Sequence, residues 1–262
     1  MKKRVLTSVK SFQLKQLILW ILVSLYTPPI FSQNNIQINI PTAEEEAEYV
    51  WRNIQDIKFF DQYGYQAKFP THSLLDSLLE KSRQNSLEEA DYEDLLDLMK
   101  EEIYARTDYQ NGFQKIDQHR ALINQLINRH KSQERRWSFK AFDSYQINLS
   151  LYGPGGSYNN EDGSILLFTT KEGSFKQYEN PSNTIIHEII HIGIEESIIQ
   201  NHKISHPDKE RIVDRYVSIM FGGQLSDYRV QNMGNKDLDE LLQTKEDLYD
   251  LESKIVKYSE GN

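Results

Sequence analysis

The stretch TIIHEIIHIGIEE, residues 184–196, places His187 and His191 four residues apart, with Glu188 directly after the first histidine. Isoleucine occupies most of the other positions. NPSN, residues 180–183, comes just before this stretch, and asparagine, serine and an early proline are typical of a helix start. The sequence therefore predicts a helix over residues 181–200, which is either a buried helix that carries polar residues or one wall of a metal site.

The spacing of the two histidines suits a shared metal ion. Residues four apart lie on one face of a helix, so His187 and His191 can both direct an imidazole nitrogen to an ion about 2 Å away. Glu188 is rotated by about 100° from His187 and can reach a water on that ion without being a ligand. The alternatives are two hydrogen-bonded histidines on a buried helix and a surface carboxylate at Glu188.

A catalytic zinc site needs a third protein ligand and an open position for water. Glu195 is too distant, because an unbroken helix rises about 12 Å between His187 and residue 195. A chain that turns back at a glycine is excluded as well, because the glycine is Gly193 and position 197 is serine, which does not fit the metzincin pattern. Glu196 and Asp208 compete with Glu210 for the position of third ligand, and Glu195 is disfavoured by the helix geometry.

A second helix is predicted within SHPDKERIVDRYVSIMFGG, residues 205–223. Ser205 can cap it, Pro207 suits an early helical position, and an apolar stripe continues until the glycine pair at residues 222–223. Glu210 and Asp214 lie one turn apart on this helix, so the two carboxylates share a face.

These two helices resemble the active site of the gluzincin metallopeptidases, in which Glu-x-x-x-Asp follows HExxH on the next helix. The resemblance covers about residues 145–221. It implies that Glu210 is the third zinc ligand and that Asp214 orients His187 and fixes its tautomer. It also implies a strand beside the zinc helix that holds a peptide substrate by backbone pairing, and GSILLFTT, residues 163–170, lies where that strand is expected, with GPGGSYNN, residues 153–160, as a mobile rim.

The reaction of such an enzyme also needs a donor for the oxyanion that forms on the substrate carbonyl. His206 is the preferred catalytic candidate. His202, Tyr216 and Tyr158 are the alternatives, and each of the four also has an ordinary loop or packing interpretation.

The beginning of the chain predicts export. Residues 1–32 contain five Lys and Arg and no acid, then a short apolar segment and a proline pair, an order typical of a secretory signal peptide cleaved near Ser32. The apolar segment is short for a membrane span, and the alternative is an uncleaved amphipathic anchor. Cleavage changes the formal charge from −9 to −14, which argues against nucleic acid or anionic membrane as a partner of the mature chain. The chain has no cysteine, so His, Asp and Glu must supply every metal ligand.

The overall pattern predicts an α+β fold. Residues 33–138 read as a helical region with four amphipathic helices. Three of them start near residues 42, 74 and 86, with Thr42 as the cap of the first, and the fourth covers residues 116–136. Residues 139–262 read as a zincin-like catalytic region, with two or three strands before the zinc helix and one C-terminal helix.

The sequence thus predicts an exported zinc-dependent peptidase, periplasmic or secreted, that acts on a peptide or protein substrate. In this hypothesis His187, His191 and Glu210 hold Zn²⁺, Glu188 is the general base, and Asp214 supports His187. Two other classes remain open. One is a secreted zinc-containing binding protein whose HExxH site is structural or inactive, and the other is a helical interaction protein without metal.

Overall fold

The computed structural model describes residues 34–175 and 180–261, and Asn34–Asn262 form one compact unit. The proposed signal peptide, residues 1–32, lies outside the described residues. No helix in the described part of the chain is both long enough and apolar enough to span a membrane. The prediction of an α+β fold is confirmed, because a four-stranded sheet packs with helices from both halves of the chain.

The sheet has the strand order β1-β2-β4-β3. It consists of β1 (Ile36–Asn39), β2 (Tyr145–Ser150), β3 (Gly156–Asn159) and β4 (Ser164–Phe168). β1 and β4 run parallel to β2 on its two sides, and β3 closes the sheet as an antiparallel edge strand on β4. The strand β1 was not predicted, because its alternation is only four residues long, although Ile36 is fully buried.

One prediction about the sheet was wrong. β4, which lies within GSILLFTT, pairs with β2 on one side and β3 on the other, so it has no free edge. The edge strand β3 comes instead from GPGGSYNN, which had been interpreted as a turn and mobile rim. Three glycines in this segment concealed the strand, because glycine is depleted in strands and typical of turns.

The helical layer contains five helices: α1 (Ala43–Gln55), α2 (Ile57–Tyr63), α3 (Ser73–Gln84), α4 (Glu89–Leu98) and α5 (Gln110–Lys131). A π-helical turn (Met99–Ile103) and a 3₁₀ turn (Arg106–Tyr109) connect α4 to α5. Thr42 and Glu45 form a capping box at the start of α1, as the predicted cap at Thr42 requires. α5 begins and ends several residues earlier than the predicted span.

The two helices that carry the HExxH and ExxxD motifs form as predicted. α6 (Pro181–Ile194) is capped by Asn180 and continues as a π-helical segment (Glu195–Gln200), and α7 (His206–Phe221) is capped by Ser205. Every residue of α6 is buried. This helix packs against α5, α7, β3 and β4, so it lies at the centre of the fold.

The prediction of one C-terminal helix was wrong, because three short helices occupy this part: α8 (Asp237–Leu241), α9 (Lys245–Tyr249) and α10 (Leu251–Gly261). Thr244 and Asp247 form a capping box that starts α9, and this local hydrogen bonding competes with a continuous helix. The apolar stripe still reaches the core, since Leu238, Leu248 and Ile255 are buried.

Candidate metal centre

Three side chains predicted to hold metal converge at one point. His187 and His191 come from α6, and Glu210 comes from α7. The Nε2 atoms of the two histidines are 3.0 Å apart. Glu210 Oε2 lies 3.4 Å from His187 Nε2, and Glu210 Oε1 lies 3.4 Å from His191 Nε2. Tetrahedral zinc ligands at about 2.0–2.1 Å from the ion are separated by about 3.3–3.4 Å, so these spacings fit such a site.

The hydrogen bonds of His187 also favour a cation at this point. Its Nδ1 lies 2.7 Å from the hydroxyl of Tyr228 and 3.3 Å from Asp214 Oδ1, while Tyr228 donates to Asp214. Nδ1 is therefore assigned as a protonated nitrogen, and Nε2 faces the Glu210 carboxylate. A cation between Nε2 and Glu210 is favoured here, either the second proton of a charged His187 or a metal ion that replaces that proton. The donor set thus fits a metal ion.

Asp214 supports His187 through a network that the sequence only partly indicated. This fully buried carboxylate accepts the Tyr228 hydroxyl and the backbone N–H of Gln231, both at 2.6 Å. The Gln231 side chain donates to Glu210 at 3.1 Å. Sequence reasoning missed Tyr228 and Gln231, because they lie in an irregular loop after α7 where no spacing rule applies.

The charges of the cluster stabilise one another. Burial acts to lower the pKa of His187, but hydrogen bonds with Asp214 and Glu210 outweigh it and raise this pKa well above its usual value. Burial acts in the opposite direction on Glu210, and the adjacent His191 and His187 hold the pKa of Glu210 well below its usual value. Glu210 is therefore held as a carboxylate, which is the form that binds metal.

Glu188 lies beside this cluster and lines the same cleft. Burial raises the pKa of its carboxyl to about 7. A side chain at Gly156 would collide with Glu188 Oε1, so the glycine in β3 leaves room for the carboxyl group. The absence of a side chain at Gly156 therefore allows β3 to pack closely against α6 at Glu188.

The cleft has a volume of about 340 Å³ and is bounded by both halves of the chain. One wall is the cluster of His187, His191 and Glu210 with Glu188, and a second is the segment from Pro154 to Tyr158, which includes most of β3. The third wall comes from the helical region, which the sequence had not connected with the site. It consists of Arg52, Asn53, Asp56, Phe59, Phe60 and Tyr65.

His206, the predicted oxyanion donor, does line the cleft. Its Nδ1 is 3.9 Å from Glu210 Oε1, and its Nε2 is 2.8 Å from the hydroxyl of Tyr65. Burial is the main cause that lowers the pKa of His206, so its neutral form is favoured. Tyr65 was not a candidate, because it follows α2 in the helical region and belongs to no motif.

The other oxyanion candidates are placed differently. Tyr158 lines the cleft and stacks on the His191 ring, with centroids 4.9 Å apart, but its hydroxyl donates to Glu195 at 2.6 Å. Glu195 thus accepts a hydrogen bond from Tyr158 and is not one of the three convergent residues His187, His191 and Glu210. Tyr216 is buried and hydrogen-bonded by Arg135. His202 lies 3.9 Å from Glu252, and neither Tyr216 nor His202 lines the cleft.

Comparisons with known proteins add no family to this picture. No family model, curated protein or solved structure matches the chain. The interpretation of the site therefore depends on its own geometry and chemistry.

Proposed function

We propose that the chain is a zinc-dependent peptidase, exported through the signal peptide predicted over residues 1–32. The observation that carries this proposal is the position of Glu188 in one cleft with the three convergent ligand atoms of His187, His191 and Glu210. A purely structural metal site has no use for a buried carboxyl group in an open cleft beside the ligands. This argument favours the peptidase over a zinc-containing binding protein.

Zinc is the metal we propose, because two imidazoles and one carboxylate are a common ligand set of catalytic zinc. Such an ion, when bound, polarises a carbonyl group and acidifies a water molecule. Glu188 takes the proton from the attacking water and transfers it to the nitrogen of the leaving amine. Asp214 and Tyr228 hold the His187 ring in one orientation throughout.

The pair formed by His206 and Tyr65 supplies a donor in the same cleft. If His206 donates its Nε2 proton to the Tyr65 oxygen, the Tyr65 hydroxyl proton is left to point at the substrate. This proton stabilises the negative charge that develops on the substrate carbonyl oxygen. The predicted role of His206 is accordingly extended to Tyr65, with His206 as the residue that orients it.

An extended peptide is the substrate we propose. β3 pairs with β4 along one side only, so the backbone groups on its other side can pair with an added strand. β3 also carries Gly156, which lies against Glu188, so a peptide paired with this strand passes the metal cluster. Peptide or protein substrates fit this arrangement better than a compact small molecule.

The proposal is tested by metal analysis of the purified chain. We expect about one zinc per chain, lost in His187→Ala and Glu210→Ala and kept in Glu195→Ala, the matched control. The zinc-loaded protein is then incubated with a mixed peptide library, and products are identified by mass spectrometry. Absence of metal after zinc addition would contradict the site. One zinc without any cleavage would instead favour the binding protein.

A further inference from the structure

Arg52 is a charged residue of the cleft that the proposed reaction does not use. It lies near the end of α1 and is the only Lys or Arg among the described residues that line the cleft. Its guanidinium group makes no hydrogen bond or ion pair with any described residue. An exposed arginine at the rim of a cleft, with no hydrogen bond or ion pair of its own, can bind a carboxylate through two parallel hydrogen bonds.

The next residue, Asn53, carries a second donor and lines the same cleft. Its side chain lines the cleft and only 5% of the residue is exposed, yet its Nδ2 has no hydrogen-bond partner among the described residues. A buried donor without a partner costs about 1–3 kcal/mol, so this amide favours an acceptor, supplied by a water molecule or by a ligand group that displaces it. Gly153 lies against this amide, with φ +126°, a conformation that side chains rarely adopt.

The distance between these donors and the reacting centre can be bounded along the wall of the cleft. Gly153 lies against Asn53, and Gly156 lies against Glu188. The Cα atoms of Gly153 and Gly156 are at most about 10 Å apart, and the contacts at both ends extend the bound between the Asn53 amide and the Glu188 carboxyl to roughly 18 Å, the length of about five residues of an extended substrate. A peptide that pairs antiparallel to β3 runs opposite to that strand, so its C-terminal part lies on the Gly153 side.

Asp56 is the acid closest in sequence to Arg52 on this wall, one helical turn further on. Its charge weakens general attraction of anions into this part of the cleft. Binding of a carboxylate at this end of the cleft would therefore need direct contact with the guanidinium group and the Asn53 amide, because a diffuse positive potential is not sufficient. Binding through such direct contacts depends strongly on where the carboxylate lies along the cleft.

We propose that Arg52 and Asn53 bind the free C-terminal carboxylate of the substrate. The enzyme then cuts close to the C-terminus and releases fragments of at most about five residues. This inference rests on the proposed peptidase function and names its substrate class. An acidic side chain at the same distance offers the same chemistry, and the experiment separates the two sources.

Binding is measured by calorimetry in the zinc-loaded Glu188→Gln protein, so that no ligand is hydrolysed. Three N-acetylated peptides are compared: a free acid, the corresponding C-terminal amide, and an amide with a glutamate near its C-terminus. We expect the free acid to bind at least about tenfold tighter than both amides. Arg52→Met should reduce this ratio to about one, and Arg52→Lys should retain part of it. Arg83→Met, which removes an exposed arginine of α3 outside the cleft, should leave the ratio unchanged.

Equal binding of acid and amide, or a ratio that survives Arg52→Met, would overturn the inference. Tight binding of the glutamate-containing amide would overturn it too, by assigning the subsite to a side chain. The two proposals fail separately. If the wild-type protein cleaves peptides internally and equally well as acids and amides, the peptidase stands and the subsite is wrong. If it cleaves none while the binding ratio holds, the peptidase function is wrong and the carboxylate site stands.

Discussion

Glu46 on α1 and Glu188 on α6 are two buried glutamates with similar titration and different surroundings. Burial raises the pKa of each carboxyl group to about 7. Glu46 accepts hydrogen bonds from the Ser150 hydroxyl and the Leu151 backbone N–H, and it ties α1 to the end of β2. Glu188 instead lines an open cleft beside a cluster of metal-ligand type. A raised pKa therefore does not identify a catalytic residue, and access to a substrate is what separates the two.

The helices that carry these two glutamates, α1 and α6, differ in how many of their residues are buried. In α1 only five residues are buried, and an acidic face is turned to the solvent. All fourteen residues of α6 are buried, including His187, Glu188 and His191. Polar groups on α1 can be hydrated, whereas those on α6 must find partners inside the protein. Substitutions should consequently have larger and more specific effects on α6.

The largest difference should appear in activity. Glu188→Gln removes the proposed base while it keeps the shape of the side chain, so we expect kcat to fall by about 10²–10⁴-fold with zinc still bound. Glu46→Gln, the matched substitution on α1, should leave kcat unchanged within about threefold. Initial rates on a peptide identified as a substrate give both values. Normal turnover by the Glu188 variant would remove this residue from the mechanism.

The second effect concerns pH and stability. Because the pKa of Glu46 is about 7 in the folded protein and 4.5 is its ordinary value, the folded state binds the proton more tightly. The stabilisation that the protonated Glu46 carboxyl gives to the folded state is fully present below about pH 4.5. It is lost as the pH rises to about 7 and beyond, and the total loss of unfolding free energy is about 3 kcal/mol. Glu46→Gln stays neutral at every pH. The difference in unfolding free energy between the two proteins, from urea titrations at several pH values, should shift in favour of the variant as the pH rises.

A third test concerns the packing of α6. A Cβ at Gly193 would collide with the ring of Phe139, so Gly193→Ala should cost about 1–3 kcal/mol, although alanine is the better helix former. Adding Phe139→Leu should recover part of the loss, because the smaller side chain leaves room. Thermal unfolding of the single and double variants gives the coupling energy. Purely additive effects would show that the collision is not the cause.

The smallest effect is expected at the solvent-facing end of α1. Thr42→Ala removes the side chain that accepts from Glu45 N and should lower the unfolding free energy by about 1 kcal/mol. Glu48→Ala, an exposed substitution inside the same helix, should stay within about 0.5 kcal/mol of wild type. A larger loss at Glu48 than at Thr42 would contradict the importance of the cap.

The sequence predicted those parts of the fold that depend on neighbours along the chain. The caps at Thr42, Asn180 and Ser205 were correct, because a side chain that reaches a free amide acts over only a few residues. The edge strand was assigned to the wrong segment, since strand order depends on pairing between distant residues. The C-terminal stripe was correctly read as apolar, but its division into three helices depends on local capping at Thr244.

For the candidate site, the sequence alone determined the histidine pair, its glutamate and the shared face of Glu210 and Asp214. These follow from the 3.6-residue period of the helix, which is a local property. Zinc, hydrolysis and export stay predictions. Only the tertiary structure brought α7 to α6, placed Tyr228 against His187, and brought Tyr65 and Arg52 to the cleft. Such contacts join residues whose separation along the chain follows no regular pattern, because the contacts arise from the packing of elements far apart in the chain.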